Sequence, residues 1–152
     1  MAPLSLQQVS DRIEINDLLI RYTTAIDQKD YALLDRCFTP DAHLDYTSAG
    51  GVAGDYPKVR AWLEKALAPF PMTVHYVTNS VVDLDGDTAR ARTAVLNPMG
   101  FQDADGAMHT FTVGAYYNDV LVRTTGGWRI RERIEESKFM DGDLPAGLKI
   151  PT

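Results

Sequence analysis

A chain of 152 residues, with 45% hydrophobic and 24% charged side chains, has the length and composition of one globular domain with a substantial core. Fifteen basic against 21 acidic residues leave a net charge of −6, which argues against nucleic acid or an anionic membrane surface as the partner. Cys37 stands alone and excludes an intrachain disulfide, Met1-Ala2-Pro3-Leu4 opens no signal peptide, and no apolar run is long enough to span a bilayer, so a soluble cytoplasmic protein is expected.

Ser5 is a plausible N-cap for a helix from about Leu6 to Gln28, in which Ile15, Leu18, Leu19, Tyr22 and Ile26 recur at spacings of three and four. A second helix is expected from the cap Asp30 to Phe38, stopped by Pro40. Ala42 to Tyr46 alternates as a strand, with Leu44 and Tyr46 on one face and His43 and Asp45 on the other. After the loop Ser48-Ala49-Gly50-Gly51, a third helix should run from about Pro57 to Leu67 with Val59, Trp62, Leu63, Ala66 and Leu67 on one side.

From Met72 onward the pattern is that of strands. Asp85-Gly86, Asp103-Ala104-Asp105-Gly106 and Gly126-Gly127 separate Thr73–Leu84, Thr88–Leu96, Thr110–Arg123 and Trp128–Lys138, giving a four-stranded antiparallel meander. Asp141 to Thr152 holds Pro145, Gly147 and Pro151 and should be irregular, laid over the mouth of a cavity or over a neighbouring subunit. Helices followed by a sheet make one α+β domain over residues 1–152. Long strands curl, and an antiparallel sheet wrapped around the N-terminal helices forms a conical barrel with an internal pocket.

Within the alternating run Thr73-Val74-His75-Tyr76-Val77-Thr78-Asn79, His75 shares a face with Thr73, Val77 and Asn79. An imidazole there is either a proton-transfer group or a core histidine satisfied by a backbone carbonyl. Asp27, near the end of the first helix, is either its partner or a solvated residue. Tyr22 is either a core aromatic or an acid, and lies about 140° from Asp27 on an ideal helix. Arg131 and Arg133 share a strand face opposite Trp128, Ile130 and Ile134. One of the two reaches the pocket, or both pair with Glu132, Glu135 or Glu136 on a wet face. Asn97 continues the alternation of Thr93 and Val95 and either donates to a substrate oxygen or shapes a turn before Pro98. Leu44, Tyr46, Phe70, Val95, Thr112 and Tyr116 are pocket-lining candidates. His43 and His109 have no metal-ligand spacing with other groups, so no metal is expected.

Three segments together resemble a known family: the first helix with Tyr22 and Asp27, the strand carrying His75, and the hairpin from Gly114-Ala115-Tyr116-Tyr117-Asn118 to Gly127-Trp128. They look like the nuclear transport factor 2-like cone fold, and within it the SnoaL-like group of polyketide cyclases, scytalone dehydratase, bile-acid 7α-dehydratase and hexachlorocyclohexane dehydrochlorinase. The last two are closest in motif. The resemblance implies that Asp27 and His75 form a catalytic dyad, that Tyr22 is the tyrosine five residues before the aspartate, and that Arg133 matches an arginine of the dehydrochlorinase. It further implies a cofactor-independent lyase or isomerase acting on a small hydrophobic cyclic molecule, and a homodimer or trimer. A polyketide-type cyclase, or a non-catalytic ligand-binding or assembly protein, are the alternatives in this fold.

Overall fold

The structure, a computed structural model, describes residues 3–142 and Leu144. Helix α1 (Leu6–Gln28) begins at a capping box: the Ser5 hydroxyl accepts the Gln8 amide, and the Gln8 side chain accepts the Ser5 amide. It ends at Lys29, whose left-handed backbone (φ 54) sends its N–H back to Ala25 and Ile26 and turns the chain sharply two residues after Asp27. Its start is pinned too, because the buried Asp11 carboxylate accepts from Arg123 at 2.7 Å and from the Trp128 indole at 3.2 Å.

Helix α2 is only Tyr31–Leu34, shorter than the expected Asp30–Phe38, and β1 takes over at Phe38 (Phe38–Asp45). Pro40 therefore lies inside a strand. It sits between Phe38 and His43, where the β1 register is interrupted and its missing N–H is tolerated. A 3₁₀ turn (Thr47–Ala49) and a short β2 (Ala53–Asp55) follow, then α3 (Tyr56–Leu67), capped by Asp55 with Pro57 in its first turn.

The sheet continues with β3 (Met72–Thr73), β4 (Tyr76–Asp85), β5 (Thr88–Gln102), β6 (Met108–Thr124) and β7 (Gly127–Gly142). Its order is β2-β1-β7-β6-β5-β3, with β4 also on β5. The meander is antiparallel as read, but β1 joins β7 in parallel, so the sheet is mixed. Local turn signals specify hairpins and carry no information on such a long-range pairing. The curled sheet and its N-terminal helices form an α+β half-barrel, the cone expected from the sequence. The core includes Ile15, Leu18, Leu19, Phe38, Leu121 and Ile130.

Two bulges in β7 decide which side chains face inward. Leu121 pairs with Ile130 but Val120 with Glu132, so Arg131 is an extra residue. A second slip falls at Lys138, since Ala115 pairs with Ser137 and Gly114 with Phe139. Each bulge flips the side-chain parity. Trp128 and Ile130 face inward, and after the first bulge so does Arg133, while Ile134 turns out. The sequence reading had placed Arg133 opposite Trp128 and Ile130; one inserted residue reverses that. The strand also runs two residues into the segment expected to be irregular. The remainder of the proposed covering tail, apart from Leu144, lies outside the described residues.

Candidate active site

The inner face of the sheet, α1 and α3 enclose a cavity of about 210 Å³. Its walls are mostly apolar, with Ile26, Trp62, Leu63, Phe70, Met99 and Phe111 among them. The polar side chains on it are His75, Asn97, Glu135 and the hydroxyls of Tyr22, Tyr46 and Tyr117.

His75 lies between β3 and β4, where the expected continuous strand is broken. The break has a simple cause. Met72 and Thr73 pair with Gly100 and Met99, Tyr76 and Val77 with Leu96 and Val95, all in one register. In the gap the Val74 amide donates to the Pro98 carbonyl at 3.0 Å, but Pro98 has no N–H to return. The backbone N–H of His75 points away from β5 and donates to Asp27 Oδ2 at 2.8 Å. Asp27 Oδ1 stands 2.6 Å from His75 Nδ1. One carboxylate thus holds both the backbone and the ring of the same residue.

With Asp27 ionised, Nδ1 carries the proton and donates it, and Nε2 is the basic nitrogen. The His75 side chain is 5% exposed and that of Asp27 22%. Thr73 Oγ1 lies 3.0 Å from Asn97 Oδ1 and 3.4 Å from Asp27 Oδ1, so its single proton serves one or the other. Asn97 is not in a turn, because β5 continues through Pro98 to Gln102.

Tyr22 lines the cavity and Asp27 does not. This resolves their angular separation on α1: the tyrosine meets the cavity directly, while the aspartate meets it through His75. The Tyr22 and Tyr46 hydroxyls are 2.9 Å apart, and burial raises the pKa of both phenols. Phe70 and Val95 also lie on the lining.

Three expected residues are elsewhere. Phe111, Val113, Ala115 and Tyr117 of β6 face the cavity, so Thr112 and Tyr116 face away by alternation, and Tyr116 carries the Arg92 guanidinium 4.0 Å from its ring centre. Leu44 is wholly buried in the core and is not on the lining.

Arg133 is also off the cavity lining. Its Nε and Nη2 donate to the two oxygens of Asp119 at 2.7 Å each, and both side chains are 0% exposed. The guanidinium lies between the rings of Tyr22 and Tyr117, 4.1 and 4.0 Å from their centres. Burial pulls its pKa down, and Asp119 more than reverses this. Arg133 is a locked cation behind two tyrosines. Arg131, the bulged residue, is exposed.

Sequence reasoning missed Asp119 and Glu135. Nothing local marks Asp119 as a buried partner. Strict alternation predicts Glu135 on a wet face beside the arginines; an inward Arg133 brings Glu135 inward with it. Burial pushes the Glu135 carboxyl up to about 7, with Arg133 opposing.

No group of three or more His, Cys, Asp or Glu that could hold a metal is present among the described residues. No helix among them is long and apolar enough to cross a membrane.

The model of the SnoaL-like domain family matches residues 7–134. The uncharacterized protein Rv2910c of Mycobacterium tuberculosis is 46% identical over 136 residues, 90% of this chain and 91% of that protein. Among solved structures, Kfla4162 of Kribbella flavida superposes with a TM-score of 0.78 at 27% identity, covering 87% of this chain and 93% of its own. A hexachlorocyclohexane dehydrochlorinase, LinA type 2, superposes with a TM-score of 0.78 at 20% identity, covering 94% and 99%. At that identity the likeness to LinA is one of fold.

Proposed function

For a chain that belongs to the SnoaL-like domain family and has the nuclear transport factor 2-like cone fold, we propose a cofactor-independent lyase or isomerase that takes a carbon-bound proton from a small hydrophobic cyclic molecule. The observation that carries this reading is the double hold of Asp27 on His75, at 2.6 Å to the ring and 2.8 Å to the amide, at the wall of an apolar cavity. The carboxylate orients the imidazole, leaves Nε2 as base, and stabilises the imidazolium formed when the proton arrives. A carbanion-like or enolate-like charge then collapses by loss of a β-substituent or by reprotonation at a neighbouring carbon. In this reading the Tyr22–Tyr46 hydroxyl pair, 2.9 Å apart and on the cavity wall, donates to that charge. Neither outcome requires an electron carrier, and we assign none.

Asp27→Asn removes the anion that holds the proton on Nδ1, so nitrogen-15 NMR of the neutral ring should show a changed tautomer population of His75 while the fold is kept. Identical tautomer populations in the two proteins would refute the pairing. His75→Ala should lower turnover of a cyclic substrate by at least about 10²-fold, the ordinary effect of losing a general base. Retained turnover would favour the cyclase reading, in which another acid leads.

We also infer self-association into a homodimer, with the trimer as the other form of assembly. Trp128 and Ile130 point inward and contribute nothing to the outer face of the sheet. A different stripe supports the inference. Tyr76, Leu96 and Phe139 are all exposed and fall on one cross-strand line through Gly114, whose missing side chain lets the Phe139 ring lie over the sheet. Light scattering should give twice the chain mass at micromolar concentration; a monomer there would refute association.

A further inference from the structure

Glu135 stands out among the groups on the cavity wall because its carboxyl has neither a hydrogen bond nor an ion pair among the described residues. Its backbone is fixed. The Ser48 hydroxyl donates to the Glu135 carbonyl at 2.7 Å and accepts the Ser137 amide at 2.9 Å, which anchors β7 just beyond the end of its pairing with β1. The bulge at Arg131 turns Glu135 onto the same inward face as Arg133 and brings it to the cavity.

The charged and titratable groups around it do not neutralise an ionised carboxylate. From β7, Arg133 is committed to Asp119 of β6 through both oxygens. Tyr22 of α1, Tyr46 after β1 and Tyr117 of β6 are phenols that burial holds protonated well past neutrality, and each is coupled to Glu135 by charge. The α3 side chains on the lining, Trp62, Leu63, Ala66 and Leu67, carry no charge, and His75 stands on another wall, formed where β3 meets β4. A carboxyl in such surroundings is still about half protonated at neutral pH, and in that form it is a donor in search of an acceptor.

We propose that Glu135 is the proton donor of this cavity, and that the ligand is a neutral cyclic molecule whose ketone, hydroxyl or ether oxygen accepts from it. As a catalytic step this rests on the reading of His75 as base. In an elimination of water, His75 Nε2 takes the carbon-bound proton and the electron pair of that C–H bond becomes the new C=C bond. The neighbouring C–O bond breaks, and the Glu135 proton joins the departing oxygen, so that water leaves. Glu135 ends as carboxylate and His75 as imidazolium; proton exchange with solvent restores both.

Calorimetric titration with 1-tetralone, a two-ring ketone that can only accept, tests the donor directly, with 1-aminotetralin as the basic counterpart of similar shape. In the wild type, tetralone should bind up to about 30-fold more weakly at pH 8.5 than at pH 5.5, the protonated fraction left at the higher pH to a group titrating at about 7. Glu135→Gln keeps an amide donor and should lose this dependence, whereas His75→Ala should keep it. Carbon-13 NMR of the wild-type carboxyl should show the same titration without any variant. A ketone that binds no better at the lower pH, a preference that survives in Glu135→Gln, or an amine that shares the ketone's preference for the lower pH would overturn the proposal. A preference lost only in His75→Ala would place the oxygen at His75. That result would reject Glu135 and leave the dyad standing, since the dyad is judged separately by the tautomer measurement in Asp27→Asn.

Discussion

Two ion pairs meet the inner face of the same sheet, and their surroundings differ. Arg133 and Asp119 are joined by two bonds of 2.7 Å and see no solvent. Asp27 and His75 are joined as closely, yet the aspartate keeps 22% of its side chain exposed and the histidine opens on the cavity. In the sealed pair Nε and Nη2 are spent on a full counter-charge, and Nη1, which has no hydrogen-bond partner, is shut away from solvent, so nothing is presented to a ligand. In the open pair one partner is acceptor-only and the other has a second nitrogen, so the pairing itself creates a reactive atom. A buried salt bridge and an active-site dyad can share length and chemistry; they differ in whether an atom left over after the bonds are counted opens on a cavity, as His75 does and Arg133 does not.

The two pairs should separate most widely when each loses its carboxylate charge. Asp119→Asn leaves the Arg133 guanidinium buried without a counter-charge, which typically costs about 3–5 kcal/mol. Thermal denaturation should show a drop of roughly 6–20 °C for a domain of this size. Asp27→Asn, by contrast, should cost about 1–2 kcal/mol, because its partner can become neutral and its amide bond can be kept by the Asn carbonyl. Equal destabilisation by the two substitutions would show that the open pair is as structural as the sealed one.

The sequence made the Asp27 and His75 side of this contrast accessible and hid the other side. Asp27 lies near the end of a helix whose periodicity is plain, and His75 stands in an alternating run that resembles a known family. Both are set by local patterns. Arg133 and Glu135 depend on one extra residue in β7, and a period-two count cannot see a bulge. The signal was present in weakened form, since Trp128 and Ile130 are followed by Arg131-Glu132-Arg133-Ile134-Glu135, where the lone Ile134 is poor support for an apolar face. Thr112 and Tyr116 were misplaced for a simpler reason: either face of β6 carries apolar or aromatic side chains, so alternation alone does not say which one is concave. The parallel β1–β7 pairing is long-range and leaves no local trace.

Glu135 offers an intermediate effect with a defined sign. Its pKa is about 7 in the folded protein, raised by burial from an ordinary 4.5. Below about pH 4.5 the carboxyl is protonated whether the chain is folded or not, and it costs nothing. Between about 4.5 and 7 the folded state holds the proton more tightly, so stability falls as pH rises, and above 7 the full penalty remains. Glu135→Gln should therefore match the wild type near pH 4.5 and exceed it at pH 8.5, by on the order of 2 kcal/mol. Paired melting curves across that range would show it. A constant difference would mean that the carboxyl does not titrate within the window, and that the cavity wall is as firmly neutralised as the Arg133–Asp119 pair.

The smallest effect concerns why the open pair is open. Pro98 leaves the ladder one N–H short opposite Val74, next to the residue whose own amide is held by Asp27. If the proline causes the break in the strand, Pro98→Ala should supply the missing donor and close the ladder across residues 74 and 98. One net backbone hydrogen bond contributes about 0.5–1.5 kcal/mol, and losing a compatible proline returns about 0.4–1 kcal/mol of chain entropy to the unfolded state. The two nearly cancel, so the melting temperature should hardly move. Hydrogen exchange is the sharper measurement: the new amide at position 98 should be protected, and the His75 tautomer should stay as it is, because the Asp27 bonds lie on the opposite edge of the strand. A His75 tautomer that changes in Pro98→Ala would mean that the gap, and not only the carboxylate, sets the position of the ring.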